Sequence, residues 1–143
     1  MDININNYNY LQLEPIKYPL VNKFYRNENA KSKAKGHDTV WIAKDRQSII
    51  AATRITPLPG NIQLLTSVYV APVYRKQGIA FNLVKQCCLS NGVIYTFSLT
   101  HLTDFYQQLG FKQLSPNQLP CELAQRFSAY INQGRQIVAM IKE

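Results

Sequence analysis

Ser67-Val68-Tyr69-Val70-Ala71-Pro72-Val73-Tyr74-Arg75-Lys76-Gln77-Gly78-Ile79-Ala80 is the stretch on which the reading of this chain turns. A β-rich run ends in a proline-containing turn, passes two cations and enters a helical pattern through glycine. The first turn of a helix carries N–H groups with no partner inside the helix, and the peptide dipoles add partial positive charge at the same end. Gly78 and the small Ala80 let a phosphate approach the backbone, and Arg75 and Lys76 add formal charge beside it. The stretch reads as an anion site between a strand and a helix. A single glycine at a helix start is also a common structural feature, so function needs a second signal.

Downstream, residues 79–90 keep Ile79, Leu83, Val84, Cys87 and Cys88 on one helical side, and Asn91-Gly92 ends the pattern. Residues 93–99 form a nearly continuous apolar run, predicting a strand buried on both faces. Thr100 is placed as the N-cap of a helix over 101–109, with Leu102, Phe105, Tyr106 and Leu109 in helical register and Gly110 as its stop. A short strand follows. Pro120 then opens a helix carrying Leu123, Phe127, Tyr130 and Ile131 as far as Gly134, and residues 136–141 close as a strand.

Upstream, residues 39–43, 48–55 and 62–70 read as strands, with turn chemistry at 57–61 making the last pair antiparallel. Residues 31–36 form a basic, solvated loop. Residues 11–29 place Leu13, Ile16, Leu20, Val21 and Phe24 near helical spacing, constrained by Pro15 and Pro19. The order predicts an α/β domain, antiparallel in its front half and βαβ-like in the middle.

Composition sets the outer limits. A chain of 143 residues with 46% hydrophobic and 17% charged residues is one domain's worth, residues 1–143, and neither disordered nor built from repeats. No apolar window approaches the ~18 residues of a membrane helix; the charge alone admits nucleic acid, an acidic membrane surface or a phosphorylated cofactor, and of these no membrane partner is expected. The opening Met1-Asp2-Ile3-Asn4-Ile5-Asn6-Asn7 lacks the basic-then-apolar pattern of a signal peptide, and the expected compartment is the cytoplasm. Three cysteines, two of them adjacent (Cys87, Cys88, Cys121), fit neither a disulfide framework nor a metal spacing; buried free thiols in a reducing compartment and no metal are the expectation. The formal charge of +8 favours an anionic partner without naming it.

The second signal is Asp104-Phe105-Tyr106-Gln107-Gln108-Leu109-Gly110-Phe111. Arg75-x-x-Gly78-x-Ala80 after a strand resembles the pyrophosphate-binding motif of the GNAT superfamily of acyl-CoA-dependent N-acyltransferases. The downstream segment resembles that family's tyrosine-containing helix. The resemblance covers about residues 39–111, in the family's order. It implies a mixed, mostly antiparallel central sheet, splayed at its middle strands and flanked by helices, and it implies acetyl-CoA as cosubstrate. Arg75, Lys76, Gln77, Gly78, Ile79 and Ala80 would wrap the coenzyme A pyrophosphate, mainly through backbone N–H groups. Val68 and Val70 would pair with the pantetheine arm, and an N–H near Val70 would polarise the thioester carbonyl. Tyr106 would protonate the departing thiolate; periodicity alone makes it a core tyrosine.

Some positions depart from the family pattern. The central strand, residues 61–70, holds no Asp or Glu to act as the amine's base. His101 and the pair His37-Asp38 are the alternatives, alongside a solvent route or a substrate that arrives deprotonated. Leu99 and Leu102 stand where relatives often have asparagine and alanine. The helix at 120–133 is additional, covering an acceptor site or forming a dimer surface. A cysteine acyl-enzyme is disfavoured for Cys87 and Cys88, which fall on middle turns of their helix, and stays open for Cys121.

Direct transfer of acetyl to an amine in a ternary complex is the leading reading. A non-catalytic acyl-CoA-binding regulator on the same fold is the alternative. Nucleic-acid binding, suggested by the charge and the basic run at 31–35, lacks any helix-turn-helix, zinc or aromatic-platform pattern and is set aside.

Overall fold

Residues 8–143 are described by the computed structural model. The stretch whose polarity argues against a signal peptide, residues 1–7, lies outside them. Seven strands run through the described residues: β1 (Asn9–Gln12), β2 (Thr39–Asp45), β3 (Ser48–Leu58), β4 (Ile62–Val70), β5 (Ile94–Leu99), β6 (Lys112–Leu114) and β7 (Ile137–Lys142). Four α-helices interrupt them: α1 (Tyr18–Asn27), α2 (Ile79–Leu89), α3 (Thr103–Gln108) and α4 (Cys121–Asn132). The strands form one mixed sheet in the order β1-β2-β3-β4-β5-β7-β6, antiparallel throughout except for β4 and β5. That exception is the β4-α2-β5 crossover, the βαβ-like middle of the chain.

Alternation along the strands assigns the two faces. On one face α2 and α3 bury Leu83, Val84, Cys87 and Tyr106 against Trp41, Leu65, Ile94 and Met140. On the other, α1 packs Val21 and Tyr25 over Val40 and Ile42, and α4 packs Leu123 and Phe127 over Leu64 and Ala139. No helix among the described residues is long and apolar enough to cross a bilayer.

Local departures from the sequence reading have physical causes. Residues 11 and 12 are strand, not helix, because Pro15 holds Glu14 extended (φ −69°, ψ 140°) and delays the helix to Tyr18. β3 runs through Pro57 to Leu58, since Gly60 (φ 87°) and Asn61 (φ 61°) take the positive angles that turn the chain. Thr100 caps nothing: a 3-10 turn at Thr100–Leu102 precedes α3, with Leu102 at its N-cap. Pro120 sits one residue before α4 rather than inside it. β5 alternates: Ile94, Thr96 and Ser98 are buried while Tyr95 and Phe97 are half-buried.

A one-residue bulge positions the site. Between the pairs Ala52↔Tyr69 and Arg54↔Thr66, β4 spends three steps where β3 spends two, so Ser67 and Val68 together face Thr53. Ser67 takes φ 60°. Side chains distant in sequence converge on it. Tyr25 Oη donates to the Ser67 carbonyl at 2.9 Å, and Ser32 Oγ donates to Ser67 Oγ at 2.7 Å. Arg54 donates through Nε to Ser32 Oγ at 2.9 Å and through Nη1 to Asp38 Oδ2 at 2.5 Å. Beyond the bulge β4 is lost to its parallel neighbour, and only Leu64↔Tyr95 and Leu65↔Thr96 pair.

The Arg54–Asp38 ion pair holds this network together, with side chains 13% and 2% exposed. Asp38→Ala leaves the guanidinium partly buried without its counter-charge. The expected loss is about 2–4 kcal/mol in urea unfolding, toward the low end because Arg54 keeps some water.

Candidate active site

The parting of β4 from β5 opens a cleft of about 890 Å³, walled by both strands, the start of α2 and the face of α3. Thr96 Oγ1 donates to the Leu65 carbonyl at 3.0 Å where the strands separate, fixing the apex. On the β4 side, Ala71 N–H donates to the Ile50 carbonyl at 2.8 Å. Successive residues of a strand turn their peptide groups to opposite edges, so Val70 directs its N–H and C=O toward the gap. Arg75 Nε takes that carbonyl at 2.8 Å while its guanidinium lies 5.2 Å from the Tyr69 ring centroid. The Val70 N–H is left facing the cleft.

The loop after β4 makes a 3-10 turn at Pro72–Tyr74, then passes Lys76 (φ 66°) and Gly78 (φ 77°) into α2. The first helical bond runs from Asn82 N–H to the Gly78 carbonyl at 3.1 Å. The N–H groups of Ile79, Ala80 and Phe81 therefore have no partner inside the helix. A Cβ at Gly78 would meet nothing within 4 Å, so the space over this turn is open to a ligand. Left-handed residues next to a helix start gather N–H groups into an anion-binding concavity.

Of the residues singled out from sequence, Val68, Val70, Arg75, Lys76, Gly78, Ile79, Ala80 and Tyr106 line the cleft together. Gln77 does not; its Oε1 accepts from Tyr8 Oη at 2.8 Å, pointing it away. Ile79 is 2% exposed and gives its side chain to the core, leaving only backbone for a ligand. Tyr106 is packed edge-on between Phe105 (5.0 Å) and Phe111 (5.4 Å). Burial pushes its phenol up to about 12, with the Thr96 hydroxyl opposing and Cys88 adding slightly.

The alternative groups fall elsewhere. His37 and His101 are exposed, and neither lines the cleft; Asp38 is committed to Arg54. None of the three cysteines lines it: Cys87 and Cys88 are buried with thiols raised by desolvation, Cys88 to about 11, whereas Cys121, expected to be buried with them, is exposed because it opens the first turn of α4. Leu99 and Leu102, the departures from the family pattern, lie on the cleft wall, 46% and 37% exposed.

Sequence reading missed a second cavity, about 180 Å³, on the α4 side of the parted strands. Thr66, Thr96, Tyr130 and Arg135 line it, and Ser67, Phe97, Leu99 and Tyr106 line both spaces. No periodicity links Arg135 to Ser67. Only the sheet order brings the α4–β7 turn beside the bulge.

Residues 36–113 match the family described as acetyltransferase (GNAT) domain. This is more than half of the chain, which belongs to that family. No curated protein matches the sequence. Among solved structures, N-acetylglutamate synthase from Neisseria gonorrhoeae, complexed with coenzyme A and N-acetyl-glutamate, superimposes with a TM-score of 0.72 at 10% identity. The match covers 94% of this chain and 34% of that one, so the chain spans about a third of the synthase. Escherichia coli ElaA gives 0.66 at 13% identity over 95% and 99% of the two chains. A GNAT family acetyltransferase from Elizabethkingia anophelis with acetyl-CoA bound gives 0.62 at 14% identity over 96% and 99%. These likenesses establish the fold: the mixed, mostly antiparallel sheet flanked by helices.

The raised Tyr106 phenol has a consequence for stability. A group whose folded pKa lies above its unfolded value contributes fully below the unfolded value, here 10.0, and loses that contribution as pH climbs toward about 12. Wild type is expected to lose stability more steeply than Tyr106→Phe between those two pH values in denaturant titrations.

Proposed function

We propose that the protein is an acetyl-CoA-dependent N-acetyltransferase that passes the acetyl group directly to an amine in a ternary complex. The observation that carries this reading is the convergence, on one cleft of a GNAT domain, of unpartnered amides at the α2 start and a buried phenol on α3. In this reading the amides of Gly78, Ile79, Ala80 and Phe81 hold the coenzyme diphosphate, with Arg75 and Lys76 supplying charge. Arg75 also braces the loop by capping Val70. The pantetheine arm takes the edge of β4 that β5 has vacated, beside Val68 and Val70. Apolar cleft wall at Leu99 and Leu102 suits that arm.

The amine nitrogen attacks the thioester carbonyl carbon, forming the C–N bond while the carbonyl π electrons move to oxygen. The Val70 N–H, aimed into the gap, stabilises that oxyanion. Collapse re-forms the carbonyl and breaks the C–S bond, and Tyr106 donates its proton to the leaving thiolate and regains one from solvent before the next turnover. A phenol raised to about 12 stays protonated through the neutral range, as this role requires. The amine's proton leaves to water, because among the residues lining the two cavities there is no Asp, Glu or His. The rate is therefore expected to rise with pH along the acceptor's own ionisation, with no inflection in the histidine range near ~6.5. The cytosolic placement belongs to this proposal, supported by three free cysteines.

The same missing carboxylate motivates the second reading, a non-catalytic acyl-CoA-binding regulator. Steady thiol release over an amine panel supports the enzyme; tight coenzyme binding with no turnover supports the regulator. Tyr106→Phe is expected to lower kcat by about 10² with acetyl-CoA affinity nearly unchanged. Gly78→Val is expected to weaken acetyl-CoA binding by about tenfold or more in calorimetry, because it strains a left-handed position and fills the phosphate approach. Unchanged affinity would remove the cradle.

A further inference from the structure

We propose that the second cavity receives an acceptor amine that itself carries a carboxylate, and that Arg135 is the residue that binds this carboxylate. The inference rests on the acetyl-transfer reading above and adds a substrate class to it.

The cavity's size argues for a small acceptor. At about 180 Å³ it suits the end of a small molecule rather than a folded partner's chain end with its neighbours. Its position argues for an acceptor at all: Ser67, Phe97, Leu99 and Tyr106 form its boundary with the larger cleft. A molecule seated there meets the proposed thioester from the side opposite α2.

Charge selects the chemistry. Among the cavity's lining residues no Asp or Glu is present, and Arg135 is the sole formal charge. The basic loop bearing Lys31, Lys33 and Lys35 is tied to the same bulge through Ser32 Oγ on Ser67 Oγ. A polyamine would bring a second cation into a positive field with no counter-charge, whereas a carboxylate is attracted. Arg54, the other nearby guanidinium, is neutralised by Asp38.

Arg135 is built to present its edge. Gly134 (φ 90°) ends α4, and Arg135 N–H donates back to the Tyr130 carbonyl at 3.1 Å, fixing the backbone. Its guanidinium lies 4.1 Å over the Tyr130 ring. That ring packs edge-on at 6.0 Å against Phe97, itself 5.3 Å from Phe127. Stacking occupies the guanidinium face and leaves its N–H edge, which pairs with no carboxylate among the described residues. A planar fork of donors matches a carboxylate in two-point fashion.

The test compares matched acceptors: lysine with cadaverine, phenylalanine with phenethylamine, and spermidine and O-phosphoethanolamine as further arms. Thiol release gives kcat/KM, and calorimetry gives acetyl-CoA affinity and the binding of each acceptor to the coenzyme A-loaded protein. The carboxylate-bearing member of a pair is expected to win by about tenfold or more, chiefly in KM. Arg135→Ala is expected to collapse that ratio toward one with acetyl-CoA affinity unchanged, and Arg135→Lys to restore part of it. Preference for the decarboxylated amine, spermidine or O-phosphoethanolamine overturns the proposal. So does a ratio that Arg135→Ala leaves intact, or a coenzyme-loaded protein that neither acetylates nor binds any carboxylate-bearing amine. Failure to bind acetyl-CoA at all instead overturns the transferase reading, and this inference with it.

Discussion

An extra residue in β4 is the constraint from which the rest of the site follows. Ser67 and Val68 occupy the space opposite a single residue of β3, and the strand leaves its parallel partner just past Leu65. Backbone groups that would have closed a ladder are thereby turned toward a gap. Such an unsatisfied edge is costly unless water or a ligand meets it. Here the Val70 carbonyl is met by Arg75, and its N–H faces the cleft. The energetic support lies behind the bulge, in the Tyr25, Ser32, Asp38 and Arg54 contacts that hold Ser67 in a left-handed conformation serine does not choose unaided.

How much of this was legible depends on sequence distance. The β4-loop-α2 unit could be read because its logic is local: proline turns the chain, glycine admits the left-handed turn, and the next three amides are exposed by helix geometry alone. Tyr106 could be read only through resemblance, since its spacing with Leu102, Phe105 and Leu109 is that of any amphipathic helix. β1 was lost because four residues beside a proline carry little pattern, and their strand character comes from pairing with β2.

The bulge network and the second cavity were beyond sequence reasoning for another reason. Tyr25 comes from α1, Ser32 and Asp38 from the segment between α1 and β2, and Arg54 from β3; Arg135 comes from the far end of the chain. Nothing in local composition says that these segments meet at Ser67. The basic loop at 31–36, read as solvated surface, is indeed exposed at its lysines, yet its serine is part of the support. Conversely, His101, a weak candidate base beside the reading of a solvent-facing or capping histidine, is exposed on the 3-10 turn before α3 and outside the cleft lining.

α4 serves two purposes at once. Leu123 and Phe127 seal one flank of the sheet, and Phe97, pressed beneath Phe127, is also a wall of both cavities. Reshaping the chamber by exchanging those aromatics would therefore loosen the flank that carries them. Arg135 stands past the helix end, in solvent and outside the packed interior. A change at that one position would therefore alter the charge of the chamber without disturbing the packing that carries its walls.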